Sequence, residues 1–175
     1  IVITGFFFIF FAQKIIYKDN TQPIVARVAD LLKRMTPEEK FWQLFMIPGD
    51  LNNASPGQYK NGLFGFQVSA GGAGDMNNQL LKYNTKEDAL KKKKKINSIQ
   101  KYFVDSTRLG IPIIAFDEAL HGLVRKGATA FPQSIALAAS WDTALMQQVA
   151  SAIATETKIR GIRQILSPVV NIASD

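Results

Sequence analysis

Residues 111–116 read IPIIAF, and every one of these positions is apolar. A short run that is apolar on both faces is typical of a strand in a parallel sheet that is covered by helices. Residues 63–68 (LFGFQV) and 165–172 (ILSPVVNI) predict two further strands of the same kind. The sequence therefore predicts an α/β fold with three buried strands.

Helical segments separate these predicted strands. Residues 86–108 form one predicted helix that ends at Gly110, and another begins with a cap at Ser140 or Asp142 and ends at Gly161. Alternation of strands with long helical crossovers is the pattern of a parallel α/β sheet. Three strands cannot close a barrel of eight, so pattern alone leaves a small open sheet as the alternative.

Two more helices are predicted before the first strand. Apolar residues at helical spacing mark residues 25–35, and Thr36, Pro37 and Glu39 form a capping box for the helix that follows. We expect this second helix to run up to Pro48. The side chains it is expected to bury are Phe41, Leu44 and Phe45.

Basic residues outnumber acidic ones and give a net charge of +7. Much of this charge is the lysine run at 91–95, next to Leu90, Ile96 and Ile99, which we expect in the core. We interpret the run as a solvated helix face, because base recognition also needs organised polar and aromatic partners. No nucleic-acid partner is expected, and strongly salt-dependent affinity for DNA would be needed to support one.

The chain has no cysteine and a single histidine, His121. These counts exclude a disulfide framework, a thiolate metal site, a cysteine nucleophile and a histidine-rich metal cluster.

Residues 1–12 (IVITGFFFIFFA) are almost wholly apolar. Twelve helical residues span roughly 18 Å, less than the ~30 Å hydrocarbon core of a bilayer, so no stable membrane span is expected. The composition favours the core of a secretory signal peptide over a buried first strand. The sequence thus predicts a signal segment at 1–17 and export to the periplasm or the cell exterior.

Acidic residues follow two of the predicted strands, with Asp117 and Glu118 after one and Asp175 after another. Parallel α/β folds bind ligands at the carboxyl ends of their strands, where a carboxylate can accept two sugar hydroxyls at once. Neighbouring strand residues point to opposite faces, so only one of Asp117 and Glu118 is expected to face a ligand. A general acid, a base, a metal ligand or a loop cap is equally compatible with this position. We interpret His121 as a structural residue near the site.

Five blocks of the chain together carry a family pattern. They are residues 28–44 (VADLLKRMTPEEKFWQL), 107–112 (TRLGIP), 116–122 (FDEALHG), 128–142 (ATAFPQSIALAASWD) and 161–175 (GIRQILSPVVNIASD). In this order they resemble glycoside hydrolase family 3. The resemblance implies a TIM (β/α)8 barrel, of which residues 18–175 hold the N-terminal portion, about three βα units. It also implies a β-glucosidase or β-xylosidase that acts on oligosaccharides or other β-glycosides.

The resemblance also implies roles for single residues. In the family, the acidic residue three places before the histidine–glycine pair binds the sugar in the cleaved subsite. Here that residue is Glu118, and Asp117 is expected as a second contact. His121 and Asp175 are expected in structural roles beside it. The family's aspartate nucleophile and glutamate acid/base have no counterpart in the chain. We therefore expect a piece of an exo-acting retaining β-glycosidase that does not hydrolyse glycosides alone. The resemblance implies neither a metal nor an organic cofactor.

Two questions stay open at the level of sequence. Many family members have aspartate where this chain has the longer Glu118, which leaves the choice between terminal glucosyl and xylosyl residues undecided. The alternative function is a carbohydrate-binding protein without catalysis. Trp42 and Trp141 both lie in helix-forming blocks, which argues against the exposed aromatic platforms that such proteins use. The sequence sets no oligomeric state.

Overall fold

The computed structural model describes residues 15–52, 54–68, 89–123, 125 and 127–169. The chain forms two compact units that divide after Lys40. The apolar segment 1–12 lies outside the described residues, and so does Asp175. The predictions of a signal peptide and of a structural role for Asp175 therefore stay predictions.

Helices and strands alternate along most of the described chain. The helices are α1 (Ile24–Arg34), α2 (Pro37–Trp42), α3 (Ala89–Ser106), α4 (Ser134–Ala138) and α5 (Thr143–Ile159). The strands are β1 (Met46–Pro48), β2 (Gly65–Gln67), β3 (Ile114–Asp117) and β4 (Gln164–Ile165).

The strands form one parallel sheet in the order β1-β2-β3-β4. Gly65 of β2 is the partner of both Met46 of β1 and Ile114 of β3, and Phe116 of β3 pairs with Gln164 of β4. Each new strand is therefore placed beside the one before it, in a single direction across the sheet. A doubly wound sheet would reverse this order at a switch point, whereas a barrel continues it. The α/β prediction is confirmed, and the described sheet has four strands rather than the three predicted.

The additional strand, β1, replaces part of a predicted helix. The capping box is confirmed: the Glu39 amide donates to Thr36 Oγ1 at 3.2 Å, and the Thr36 amide donates to Glu39 Oε2 at 2.8 Å. However, α2 ends at Trp42, and the prediction that Phe41, Leu44 and Phe45 are buried is wrong, since Leu44 is 79% exposed. The chain leaves the helix because the Trp42 carbonyl accepts from the Phe64 amide, which starts the pairing with β2.

The core lies between α3 and the sheet. Phe66 of β2 and Phe103 of α3 are fully buried, with ring centroids 6.1 Å apart, and Tyr59 packs edge-on against Phe66 at 5.2 Å. Burying each such ring contributes about 1.5–3 kcal/mol. Ile96 and Ile99 are buried as predicted. Leu90 is exposed, contrary to prediction, because it does not share the helix face of these residues.

The helix α5 and the strand after it match the sequence in part. Asp142, rather than Ser140, caps α5, since its Oδ1 accepts from the Leu145 amide at 2.9 Å. Gly161, at φ +84°, ends the helical segment as predicted. The predicted strand over 165–172 is too long, because β4 covers Gln164–Ile165 and residues 166–169 are not in a strand. Pro168 has no N–H to donate to a sheet, which opposes a longer strand.

The described part of the first unit is built around α1. Asp30 accepts from the amides of Ile16 and Tyr17, both at 3.0 Å, and pairs with Arg34 one turn later. The predicted helix over 25–35 is confirmed to within a residue at each end.

Candidate functional site

The carboxyl ends of the parallel strands lie along one edge of the sheet. Asp117 is the last residue of β3, Glu118 follows it, and Asp50 follows β1 by two residues. Acidic residues therefore follow two of the strands at the edge where parallel α/β folds bind their ligands. Within the described residues, no three histidine or carboxylate side chains are grouped as a metal site would require.

Asp117 points into the interior. Its side chain is fully buried, and its Oδ2 lies 2.7 Å from Arg125 Nη2 and 3.9 Å from Lys92 Nζ. Both cations are themselves buried. We call Lys92, Asp117 and Arg125 the Asp117 cluster. Buried charges need such partners, because removing a charged group from water is otherwise strongly unfavourable.

Glu118 is only partly buried. Its backbone amide donates to Asp117 Oδ1 at 3.0 Å, so the two neighbouring residues are joined through this hydrogen bond. The structure thus encloses one carboxylate and leaves the other nearer to solvent. Glu118 is the better candidate for contact with a ligand, because Asp117, the other predicted contact, is enclosed by its cations.

The loop after β3 is folded back on itself beside Glu118. The Phe131 amide donates to the His121 carbonyl at 2.7 Å. Gly122 has φ +114°, and a Cβ at this position would lie 2.2 Å from the Thr129 carbonyl oxygen. Only glycine fits both the backbone angle and the close approach. The histidine–glycine pair therefore shapes the loop that carries the candidate site, and the structural role of His121 stays a prediction.

A cavity of about 310 Å³ opens beside His121. Polar and apolar side chains line it, and neither Asp117 nor Glu118 is among them. The lining residues are Leu120, His121, Gln133, Ser134, Ile135 and Val169.

The far end of the same loop is tied to α5. Glu156 accepts from the Thr129 amide at 2.8 Å and from Thr129 Oγ1 at 2.7 Å. These hydrogen bonds hold the pKa of Glu156 below its usual value, and the bond from the backbone amide has the larger effect. The charged form of Glu156 thus stabilises the loop, since hydrogen bonding favours the ionised carboxylate.

The lysine run is not uniformly solvated, contrary to prediction. Lys91, Lys93 and Lys94 are exposed, but Lys92 is 2% exposed and Lys95 pairs with Asp50. A signal for Lys92 was present in the sequence. Positions 92, 96, 99 and 103 follow helical spacing, which places the lysine on the same buried face as the core residues.

Comparison with known proteins identifies the family. The model of the glycosyl hydrolase family 3 N terminal domain matches residues 36–175, which is more than half of the chain. The chain belongs to glycoside hydrolase family 3. The resemblance noted in the sequence and the TIM-barrel type of fold are thereby confirmed, and the parallel sheet described above is its N-terminal part.

Individual relatives of this family 3 chain are glycosidases by name. It is 32% identical over 174 residues to "Beta-glucosidase C" of Emericella nidulans, covering 91% of the chain and 26% of the relative. It is 36% identical over 70 residues to a "Beta-xylosidase" of Formosa agariphila, covering 37% of the chain and 10% of the relative. A solved β-glucosidase structure from Erythrobacter marinus superposes with a TM-score of 0.68 at 27% identity, covering 91% of the chain and 20% of that structure.

Proposed function

We propose that the chain supplies the sugar-binding edge of an exo-acting retaining β-glycosidase that releases terminal β-D-glucosyl or β-D-xylosyl residues. The observation that carries this proposal is the partly buried Glu118 at the carboxyl edge of a family 3 barrel sheet. A carboxylate there accepts two neighbouring hydroxyls of a pyranose and thereby sets the orientation of the ring. The chain spans 26% of the length of the Emericella nidulans relative, so the complete reaction is proposed for a longer protein.

The chemistry of retention requires more than this edge. One carboxylate attacks the anomeric carbon, and a second protonates the leaving oxygen and then activates water, with the two groups about 5–5.5 Å apart across the glycosidic bond. Asp117 and Glu118 cannot form that pair, because they are adjacent in the chain and Asp117 is enclosed with Arg125. We propose that nucleophile and acid/base come from sequence beyond the 175 residues.

Choice between glucose and xylose depends on space near the sugar's C5 substituent. A glutamate at position 118 reaches further than an aspartate would, which favours the smaller xylose. The relatives carry both names, β-glucosidase and β-xylosidase. Comparing kcat/KM for aryl β-xyloside and aryl β-glucoside, in native protein and with Glu118→Asp, would resolve the choice. A shift toward the glucoside in the variant would support this role of side-chain length.

We propose that the protein is exported to the periplasm or the cell exterior, because residues 1–12 are apolar. Among the described residues, no helix has both the length and the apolar character needed to cross a membrane. Fusing residues 1–17 to a reporter that is active only outside the cytoplasm tests the proposal. Reporter activity with Phe6–Phe8 intact, and its loss when these phenylalanines become aspartates, is the expected result.

The deciding experiment for the reaction starts from the source DNA. If the frame continues past codon 175, the longer protein should hydrolyse an aryl β-glycoside with retention, and Glu118→Ala should lower kcat/KM by a large factor. The 175-residue chain alone should show no turnover. Turnover by the short chain that disappears with Glu118→Ala would contradict the proposal.

A second candidate function is carbohydrate binding without catalysis, and Trp141 favours it. This residue precedes α5, has φ +54°, and is 93% exposed, contrary to what its helix-forming context indicates. Exposed aromatic rings are the usual platforms for sugars in binding proteins. If Trp141→Ala abolishes sugar binding by the chain while Glu118→Gln leaves it intact, the binding function is the better description.

A further inference from the structure

We propose that Asp117, held by Arg125 and Lys92, is a positioning residue that fixes the backbone from which Glu118 reaches the sugar. The proposal rests on the proposed function in one respect, which is that Glu118 contacts the glycone. The geometry itself is independent of that function.

The Asp117 cluster joins three separate parts of the fold. Lys92 comes from α3, Asp117 ends β3, and Arg125 lies within the loop that follows. Both cations approach the same oxygen of Asp117, Oδ2, at 3.9 Å and 2.7 Å. The other oxygen, Oδ1, accepts the Glu118 amide at 3.0 Å. One carboxylate thus connects a helix and a distant loop segment to the residue proposed to bind sugar.

Stability alone is a poor explanation for this cluster. Burying three ionised groups carries a desolvation penalty, and well-packed apolar residues of similar volume usually stabilise a core equally well or better. Charged hydrogen bonds differ from apolar contacts in being directional. Directional bonds can fix the backbone of Glu118, which lies just beyond the last residue of β3 and outside the hydrogen-bond ladder of the sheet.

Arg125 also shapes the loop through its backbone. Its amide donates to the Leu123 carbonyl at 2.7 Å, and its carbonyl accepts from the Ala128 amide at 3.0 Å. Fixing the side chain on Asp117 therefore fixes a turn on the far side of Gly122. A binding group must be held to about 0.5 Å for productive recognition, so anchoring both sides of Glu118 bears directly on affinity.

The first test measures hydrogen exchange of the Glu118 amide by NMR, relative to the Ile114 amide, which donates to Phe64 within the sheet. The ratio of the Glu118 exchange rate to the Ile114 exchange rate separates local opening at Glu118 from global unfolding. Arg125→Met should raise this ratio about tenfold or more. Arg125→Lys, which keeps a cation, should restore most of the protection, and Lys92→Met should give an intermediate rise. Lys101→Met removes an exposed ion pair from α3 and serves as the matched control, with no change expected.

If Arg125→Met does not fold, the exchange ratios of Arg125→Lys and Lys92→Met still decide between the outcomes. A graded rise in the ratio across the folded variants supports positioning. If global stability falls while the Glu118-to-Ile114 ratio stays at its wild-type value, the cluster is merely structural and the proposal is wrong.

A second test separates this proposal from the proposed function. Methyl β-D-xyloside and methyl β-D-glucoside are titrated into the chain and followed by amide shifts. Glu118→Gln should abolish the response, and Arg125→Met should weaken the affinity about tenfold. If Glu118→Gln binds sugar like the wild type, the proposed function fails while the exchange ratio still decides on positioning. If Glu118→Gln loses binding and folded Arg125→Met keeps it, positioning fails and the proposed function stands.

Discussion

Two neighbouring carboxylates at the end of β3 have opposite surroundings. Asp117, inside the edge of the sheet, is fully buried between Lys92 and Arg125, whereas Glu118, outside it, is partly buried and adjoins the folded-back loop. The contrast shows that residue type and position along the chain do not decide a side chain's surroundings here. The inner carboxylate is enclosed by its cations, and we propose that the outer one contacts a ligand.

The largest expected effect is a loss of stability on substitution of the inner carboxylate, Asp117. Asp117→Asn leaves two buried cations without their carboxylate and should lower the free energy of unfolding by about 3–5 kcal/mol. Glu118→Gln, at a partly buried position and without loss of the buried cluster, should lower it by less than Asp117→Asn does. Urea denaturation of both variants measures the difference. Equal losses of stability would mean that the two residues do not have separate roles.

Gly122 tests the loop that links the two sides. Gly122→Ala should cost about 2–4 kcal/mol, since it combines a left-handed backbone angle with a clash against the Thr129 carbonyl. Gly57→Ala is the control, because Gly57 has φ +76° but no atom within 4 Å of an added Cβ. The control isolates the conformational cost at about 1 kcal/mol. Thermal unfolding that shifts equally for both variants would exclude the close approach.

The same contrast of inside and outside recurs within the lysine run. Lys92→Met should lower the free energy of unfolding by about 1–2 kcal/mol, less than Asp117→Asn, because Arg125 still neutralises the carboxylate and the buried methionine relieves desolvation. Lys93→Met, at an exposed position, should have almost no effect. A larger loss for Lys93→Met would contradict the burial of the run as described.

The smallest expected effect on stability depends on pH and concerns the hydrogen bonds between Thr129 and Glu156, which hold the far end of the loop. The hydrogen bonds from Thr129 lower the folded-state pKa of Glu156 below the usual 4.5, so its ionised form stabilises the fold above that pH. This contribution should decline as the pH falls from 4.5 through the folded pKa. Glu156→Gln should therefore be less stable than wild type at neutral pH, and the gap should narrow in acid. Chemical unfolding at both pH values checks this, and a gap that widens in acid would have the wrong sign.

Elements with local signals could be predicted from the sequence. The capping box at Thr36, the cap at Asp142 and the glycine stop at Gly161 each depend on residues within a few positions, and each is present. Strand β3 was also predictable, because its apolar run has no competing helical pattern. The parallel character of the sheet was predictable from the alternation of strands and helices, whereas β1 was not predicted.

Features that depend on distant partners could not be predicted in the same way. The strand β1 has only three residues, too few to show a period, and it exists because its backbone pairs with β2 some twenty positions later. Asp117 and Arg125 are eight residues apart in a loop with no regular spacing. Lys92 is different, since its helical register with Ile96 indicated burial, but the surrounding run of lysines favoured a solvated interpretation.

Carboxyl footprinting with a carbodiimide and an amine nucleophile tests most directly whether Glu118 faces the ligand and Asp117 the interior. The folded chain is labelled with and without saturating methyl β-D-xyloside or methyl β-D-glucoside, and tandem mass spectrometry assigns the label within residues 109–125. We predict that Glu118 is labelled and becomes protected by sugar, while Asp117 stays unlabelled in both states. Labelling of Asp117 in the folded chain, or labelling of Glu118 that sugar does not reduce, would contradict the assignment.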